Sequence, residues 1–243
     1  MNLVNRFCPV CGGTKNKKVF KSKDYRFGNN GLFSLVRCKN CDFVYLNPVL
    51  KEKDLNKFYG ERFYSVSNGL IDNLTKVISL ISNRIYLSEI RKGVKVKHIL
   101  DVGCGTGDLI SFFKKNGYSV RGLEINKSAK AFVKENVFGE ISFTTLKKAS
   151  FKKNSFDVVT ANHVLEHVYD LKKFLNEIKM FLKKNGCFYL KVPNFGYWEY
   201  KVFGKYSYAL EVPRHMYFFD KKSLKNLLIS NGFKNIRFVN RPY

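Results

Sequence analysis

The chain has 243 residues, 45 % of them apolar and 26 % charged, a composition that folds around a core and excludes a disordered or collagen-like chain. Its 44 Lys and Arg against 19 Asp and Glu leave a formal charge of +25. No apolar run approaches the ~20 residues needed to cross a bilayer. The opening residues 1–13 lack the basic segment and apolar core of a secretory leader, so the expectation is a cytoplasmic protein without a membrane span.

Residues 1–50 carry two paired cysteines, Cys8-Pro-Val-Cys11-Gly-Gly and Cys38-Lys-Asn-Cys41. Two residues between thiolates let both sulfurs reach one tetrahedral ion at about 2.3 Å while backbone NH groups turn toward them. Gly12 and Gly13 supply the positive-φ positions such a turn needs. Short strands are predicted around Val19-Phe20 and over 33–36 and 43–46. The pattern predicts a small zinc ribbon held by Cys8, Cys11, Cys38 and Cys41. A segment this short buries little core, so the metal supplies folding free energy. Four thiolates fill the coordination sphere and leave no open position. Two disulfides are the other reading, disfavoured in a chain without an export signal. Cys104 and Cys187 read as small buried residues.

Residues 51–97 read as a helical connector. A short helix is predicted over 51–59. A longer one over 69–92 has Leu70, Leu74, Val77, Ile78, Ile81 and Ile85 at helical spacing, and Gly93 ends it. From residue 98 strands and helices alternate. Strands are predicted over 98–102, 119–125, 141–144, 156–161, 187–192 and 234–239. Helices are predicted over 108–115, 127–136, 170–184 and 221–231. Continuous apolar strands alternating with helices mean an α/β domain over 98–243, a Rossmann-like, doubly wound, mostly parallel sheet.

The sequence Ile99-Leu100-Asp101-Val102-Gly103-Cys104-Gly105-Thr106-Gly107 is a buried strand running into a glycine-rich turn and a helix. The glycines let backbone approach a ligand closely, and the helix start favours a negative group. The spacing is neither the GxGxxG of dinucleotide enzymes nor a P-loop. At the end of the next strand stands Glu124, whose two oxygens match the two hydroxyls of a ribose. Asp101 is an acceptor for an ammonium. A carboxylate, an ammonium and a ribose together describe S-adenosylmethionine.

The chain resembles the class I S-adenosylmethionine-dependent methyltransferases. ILDVGCGTG matches their first motif and GLEIN their acidic strand end. Residues 156–168 resemble their fourth strand and its loop, and Leu182-Lys183-Lys184-Asn185-Gly186-Cys187 the lead into their fifth. The resemblance implies cofactor contacts from Asp101, Gly103, Cys104, Gly105, Gly107, Glu124, Ile125 and Asn162. The ribbon, together with Glu211-Val212-Pro213-Arg214-His215, is similar to a bacterial or archaeal branch associated with sugar and surface-glycan tailoring. The implied reaction is SN2 methyl transfer to an oxygen, nitrogen or carbon of a small-molecule or glycan acceptor. The family's sheet closes with an antiparallel seventh strand; here the chain stops just after the sixth, so the expectation is either a fragment or an edge finished by other means.

Three candidates remain for proton transfer. His167 reads as a base or as a helix-start histidine, and with Glu166 as part of a metal site. His215 with Glu211 reads as a base and its orienter. Residues 193–219 hold ten aromatics, read either as a lid on the acceptor or as a plug under the sheet end, and Tyr59 and Tyr64 as further acceptor contacts. The basic charge reads as RNA binding or as genome composition. Of the 44 basic residues 34 are Lys, dispersed in pairs with no Arg-rich stripe, which favours the second. An RNA methyltransferase and a non-catalytic binding module are the alternatives to a small-molecule enzyme.

Overall fold

The computed structural model describes residues 2–59 and 71–239, and these form two compact units. The first comprises Met1–Phe58, Leu165–Leu175 and Val192–Tyr243, and the second Tyr59–Val164 and Asn176–Lys191. The expected ribbon at 1–50 is therefore the start of a larger body. Much of the carboxy-terminal third, expected to belong with the α/β domain, assembles with it.

In the first unit, β1 (Leu3–Val4) pairs with β5 (Val49–Leu50). Strands β2 (Asn16–Ser22), β3 (Phe33–Cys38) and β4 (Val44–Leu46) form an antiparallel meander. The meander gains a fourth strand, β11 (Tyr217–Phe218), paired antiparallel with β4. The short helix α1 (Glu52–Leu55) follows β5. The core is aromatic: Phe43, Tyr45, Tyr217 and Phe219 are buried, and Phe43 contacts the rings of the other three. The aromatics at 217–219 thus complete the core of the cysteine-bearing unit, a role read in neither the lid nor the plug. Arg214 is fully buried in the same unit. Its guanidinium donates to both oxygens of Asp24 at 2.8 and 3.0 Å and lies 4.5 Å over the Phe27 ring. A planar five-donor fork suits such a bidentate, stacked position where Lys would not. Burial opposes the charge of Asp24, yet the Arg214 and Asn29 hydrogen bonds hold its carboxyl below the ordinary value.

The second unit is a parallel sheet of β6 (His98–Val102), β7 (Ser119–Leu123), β8 (Ile141–Ser142), β9 (Phe156–Asn162) and β10 (Leu182–Lys191). The order is β10-β9-β6-β7-β8. The order reverses between β6 and β9, the place where open α/β sheets bind ligands at their carboxyl edge. Helix α2 (Ile71–Arg91) precedes β6, and α3 (Asp108–Lys115) and α4 (Glu135–Phe138) follow β6 and β7. α2 buries Tyr86, Leu87 and Ile90 against Ile99, Phe113 and Val158. Ile81 and Ile85, expected on its apolar face, are 55 % and 46 % exposed. Over residues 81–91 the buried stripe runs through Tyr86, Leu87 and Ile90, and the side chains of Leu74, Val77 and Ile78 lie outside the described residues. Gly69, Leu70 and Tyr64 lie outside the described residues.

Three further expectations change. The helix over 127–136 is a 3-10 turn, Lys127–Phe132, then α4 after a break. The helix over 170–184 is α5 (Leu171–Phe181), and the chain enters β10 directly at Leu182 with a register shift between Leu182 and Cys187. No strand forms over 234–239. Phe238 and Val239 there stay 38 % and 41 % exposed, so no sheet face buries them. The last described helix is α7 (Lys221–Ser230), started by an Asp220–Ser223 capping box. Among the described residues no helix is long and apolar enough to cross a membrane.

Candidate active site

The carboxyl edge of β6 brings together the residues expected to hold the cofactor. Asp101 is 3 % exposed and lies in register with Thr160 on β9, whose hydroxyl donates to its Oδ1 at 2.6 Å. Burial pushes the Asp101 carboxyl up to about 7. The Thr160 hydrogen bond opposes the rise and the charge of Glu124 adds to it. This is a buried acid short of positive charge, as a carboxylate awaiting an ammonium should be. Tyr86 stands beside it, with its hydroxyl donating to Asn162 Oδ1 at 3.3 Å and its ring 4.2 Å from that of Tyr189. Sequence reading missed Tyr86, although its place one helical turn before Ile90 on the apolar face was a signal.

The turn at 103–107 uses its NH groups differently from expectation. Gly103 N and Cys104 N both donate to Leu123 O, at 2.7 and 3.1 Å, and Gly107 N donates to Cys104 O. Gly105 N donates to Glu124 Oε2 at 2.9 Å, and Asn126 N donates to Oε1 at 2.8 Å. The NH groups shape the turn and hold the carboxylate against it. The side chain of Glu124 faces the glycines, as a ribose contact requires, and each oxygen keeps a lone pair beyond its backbone bond. Gly103 has φ +69°, and a Cβ there would meet Val164 Cγ2 at 2.4 Å. Gly122 was not foreseen: a Cβ would strike Ile110 Cδ1 at 2.4 Å and Cys104 Sγ at 2.7 Å. Cys104 itself is buried and its thiol is pushed well up by desolvation, so it is inert. Ile125 is 69 % exposed, an apolar side chain held at the rim beside Glu124. The buried uncompensated acid, the turned-in carboxylate and the glycine where no side chain fits together match S-adenosylmethionine.

The candidate catalytic residues lie in the first unit. His167 Nδ1 sits 3.1 Å from Arg214 O and His215 Nδ1 3.0 Å from Ala209 O. A carbonyl only accepts, so each Nδ1 carries a proton. The two rings meet edge to face at 4.6 Å. Glu166, fully buried, joins them, with one ligand atom of each residue within 4.8 Å of the others. The Glu166–His167 pair, read as an alternative metal site with too few ligands, gains a third possible ligand in His215. The expected pairing of Glu211 with His215 is replaced: Glu211 forms ion pairs with Arg26 and Arg214, the two strong cations of its surroundings, while His215 is oriented by the Ala209 carbonyl.

The four ribbon cysteines also converge. Cys8 and Cys41 Sγ lie 3.6 Å apart, as do Cys11 and Cys38. These spacings are too long for disulfides and close to the ~3.8 Å edge of a tetrahedron with ~2.3 Å bonds. Gly12 has the expected positive φ of 72°. Gly13 serves another purpose: a Cβ there would crowd Asn40 and Cys38 Sγ, at 3.0 and 3.2 Å.

Residues 76–237, two thirds of the chain, match the family described as "Methyltransferase domain". The chain is 28 % identical over 148 residues to a ubiquinone biosynthesis O-methyltransferase of Histophilus somni (strain 2336), covering 56 % of this chain and 62 % of that one. A protein of the same description from Pelagibacter ubique (strain HTCC1062) is 33 % identical over 108 residues, covering 42 % and 45 %. The chain thus spans about half to three-fifths of these relatives' lengths. A SAM-dependent methyltransferase from Archaeoglobus fulgidus shares the fold with TM-score 0.52 at 22 % identity, over 65 % of this chain and 69 % of that one. The sheet order, the glycine turn and this match agree, and the chain belongs to the methyltransferase-domain family, within the class I S-adenosylmethionine-dependent methyltransferases.

Proposed function

We propose that this protein transfers a methyl group from S-adenosylmethionine to a hydroxyl oxygen of a small-molecule acceptor, a sugar or glycan hydroxyl. The observation that carries the reading is the buried, charge-starved Asp101 beside a Glu124 turned onto the glycine loop. When bound, the cofactor supplies a methyl already activated on a sulfonium. Asp101 would pair with its ammonium, Glu124 would accept from its ribose hydroxyls, and exposed Ile125 would meet its base. His167 and His215 are the candidate bases for the proton of the acceptor hydroxyl, a role worth roughly 10²–10⁴-fold in rate. Oxygen as the attacked atom is supported by the two bacterial relatives, both described as O-methyltransferases. A sugar or glycan acceptor is supported by the resemblance that the cysteine-bearing segment and Glu211-Val212-Pro213-Arg214-His215 carry. A divalent ion on Glu166, His167 and His215 is a second way to activate the hydroxyl, favoured by the third ligand. The four cysteines hold a structural zinc.

The test is transfer of labelled methyl into a cell extract fractionated into nucleotide sugars, glycans, RNA and protein. Label in the sugar or glycan fractions is expected, and label confined to RNA or protein overturns the proposal. Glu124→Ala should abolish both the thermal shift given by S-adenosylmethionine and the transfer. His167→Ala should leave the thermal shift and lower kcat. Added divalent metal that restores metal-stripped wild type but not His215→Ala would assign the activation to an ion.

A further inference from the structure

In the first unit, α6 (Trp198–Phe203) and the 3-10 turn Gly204–Tyr206 present large apolar side chains to solvent. Trp198 is 55 % exposed, Val202 67 %, Phe203 51 % and Tyr206 62 %. They fall in ring pairs on consecutive turns of chain: the Trp198 and Phe203 rings lie 6.4 Å apart, and Tyr206 lies 5.7 Å from exposed Tyr25. The display is fixed from beneath. Tyr200 is buried, its ring 4.8 Å from that of Phe195 and its hydroxyl donating to Ala209 O at 3.3 Å. Buried Ser207 donates to Glu199 Oε1 at 3.0 Å, which turns the one acid of residues 197–206 away from the patch. Exposed Lys201 and Lys205 stand among the rings, with Lys205 Nζ 5.0 Å over the Tyr206 ring. Ser22 Oγ donates to Lys205 O at 2.6 Å, which ties the 3-10 turn to the end of β2.

Rigid exposed Trp, Tyr and Phe interleaved with Lys, and an acid withdrawn, are complementary to one surface above others: anionic headgroups over hydrocarbon. Trp and Tyr settle at that boundary, each basic residue near it gains about a factor of five in affinity, and a chain of charge +25 is drawn to it. We infer that this face docks the protein on the surface of an anionic lipid bilayer, lying in the interface without crossing it.

Trp198 is the single tryptophan of the chain, so its emission reports the patch directly. The full chain is titrated with vesicles of phosphatidylcholine containing phosphatidylglycerol, and with phosphatidylcholine alone. The expected result is a blue shift and quenching by brominated acyl chains on anionic vesicles only, weakening steeply with salt. Phe203→Ser should weaken binding about tenfold, and Lys201→Ala with Lys205→Ala about 25-fold, with circular dichroism and Tm unchanged because these side chains are exposed. Unchanged emission overturns the inference. So does salt-independent binding to both vesicle types. A dimer by light scattering that Phe203→Ser converts to a monomer assigns the face to a second copy and overturns it too. None of these readouts depends on methyl transfer.

Discussion

Replacing Asp101 by Asn should make the protein more stable and less able to bind its cofactor, with a pH dependence that identifies the cause. The Asp101 carboxyl is pushed up to about 7 by burial, against an ordinary 3.8. Three units at roughly 1.4 kcal/mol each place the cost of ionising it in the folded protein on the order of 4 kcal/mol. Between about pH 4 and pH 7 the folded chain holds a proton that the unfolded chain has released. Wild-type stability therefore falls as pH rises through this window and levels off above it. Asn carries no such charge and still accepts the Thr160 hydroxyl. Its advantage should be near zero at pH 4 and reach up to ~4 kcal/mol at pH 8, several degrees in Tm. The assay is the Tm difference between variant and wild type from pH 4 to 8.5 without cofactor. S-adenosylmethionine supplies the missing positive charge, so wild-type affinity should be flat above pH 7 and fall about tenfold per unit below it. The variant should bind at least 100-fold more weakly, because it leaves an ammonium unpaired. A Tm difference that is independent of pH, or that favours wild type at pH 8, refutes the reasoning.

Gly103→Ala combines a φ of +69° with a Cβ 2.4 Å from Val164 Cγ2 and should cost about 2–4 kcal/mol in urea unfolding; adding Val164→Ala should recover the steric part and leave the backbone strain. Arg214→Ala strands the buried Asp24 carboxylate and should cost ~3–5 kcal/mol, Arg214→Lys should not restore it, and in wild type this contribution should be lost as pH falls below about 4, since the Asp24 carboxyl is held below its ordinary value. Purified protein should carry a single tightly bound zinc by elemental analysis, and Cys38→Ser should lose both the metal and the protease resistance of residues 1–50.

The parts of the site written as short contiguous strings were legible in the sequence. Strand β6, its glycine turn and Glu124 one strand later lie within 27 residues, 98–124, and their geometry follows from local rules: a parallel strand delivers residues to its carboxyl edge, and glycine follows where backbone must come close. What was not legible depends on contacts across long stretches of chain. Asp24 meets Arg214 across 190 residues, and β4 meets β11 with a register that no local pattern encodes. The ten aromatics at 193–219 looked like one device because they are adjacent in sequence. In the fold they divide: Tyr217, Phe218 and Phe219 are buried in the cysteine-bearing unit, while Trp198, Phe203 and Tyr206 face solvent.

Glu211 shows why the division matters. In sequence it stands four residues before His215, and a carboxylate so close to an imidazole reads as its orienter. In the fold two arginines claim it, one of them from the segment after β2. Coulomb attraction to two guanidinium groups outweighs a single hydrogen bond to a neutral ring. A backbone carbonyl then suffices to set the His215 tautomer. The acid that does reach the histidines is Glu166, fully buried and adjacent to His167 in the chain. Any chemistry at the histidine pair therefore depends on the Asp24–Arg214 ion pair that fixes the 211–215 turn. Arg214→Ala should disturb the histidines through that turn.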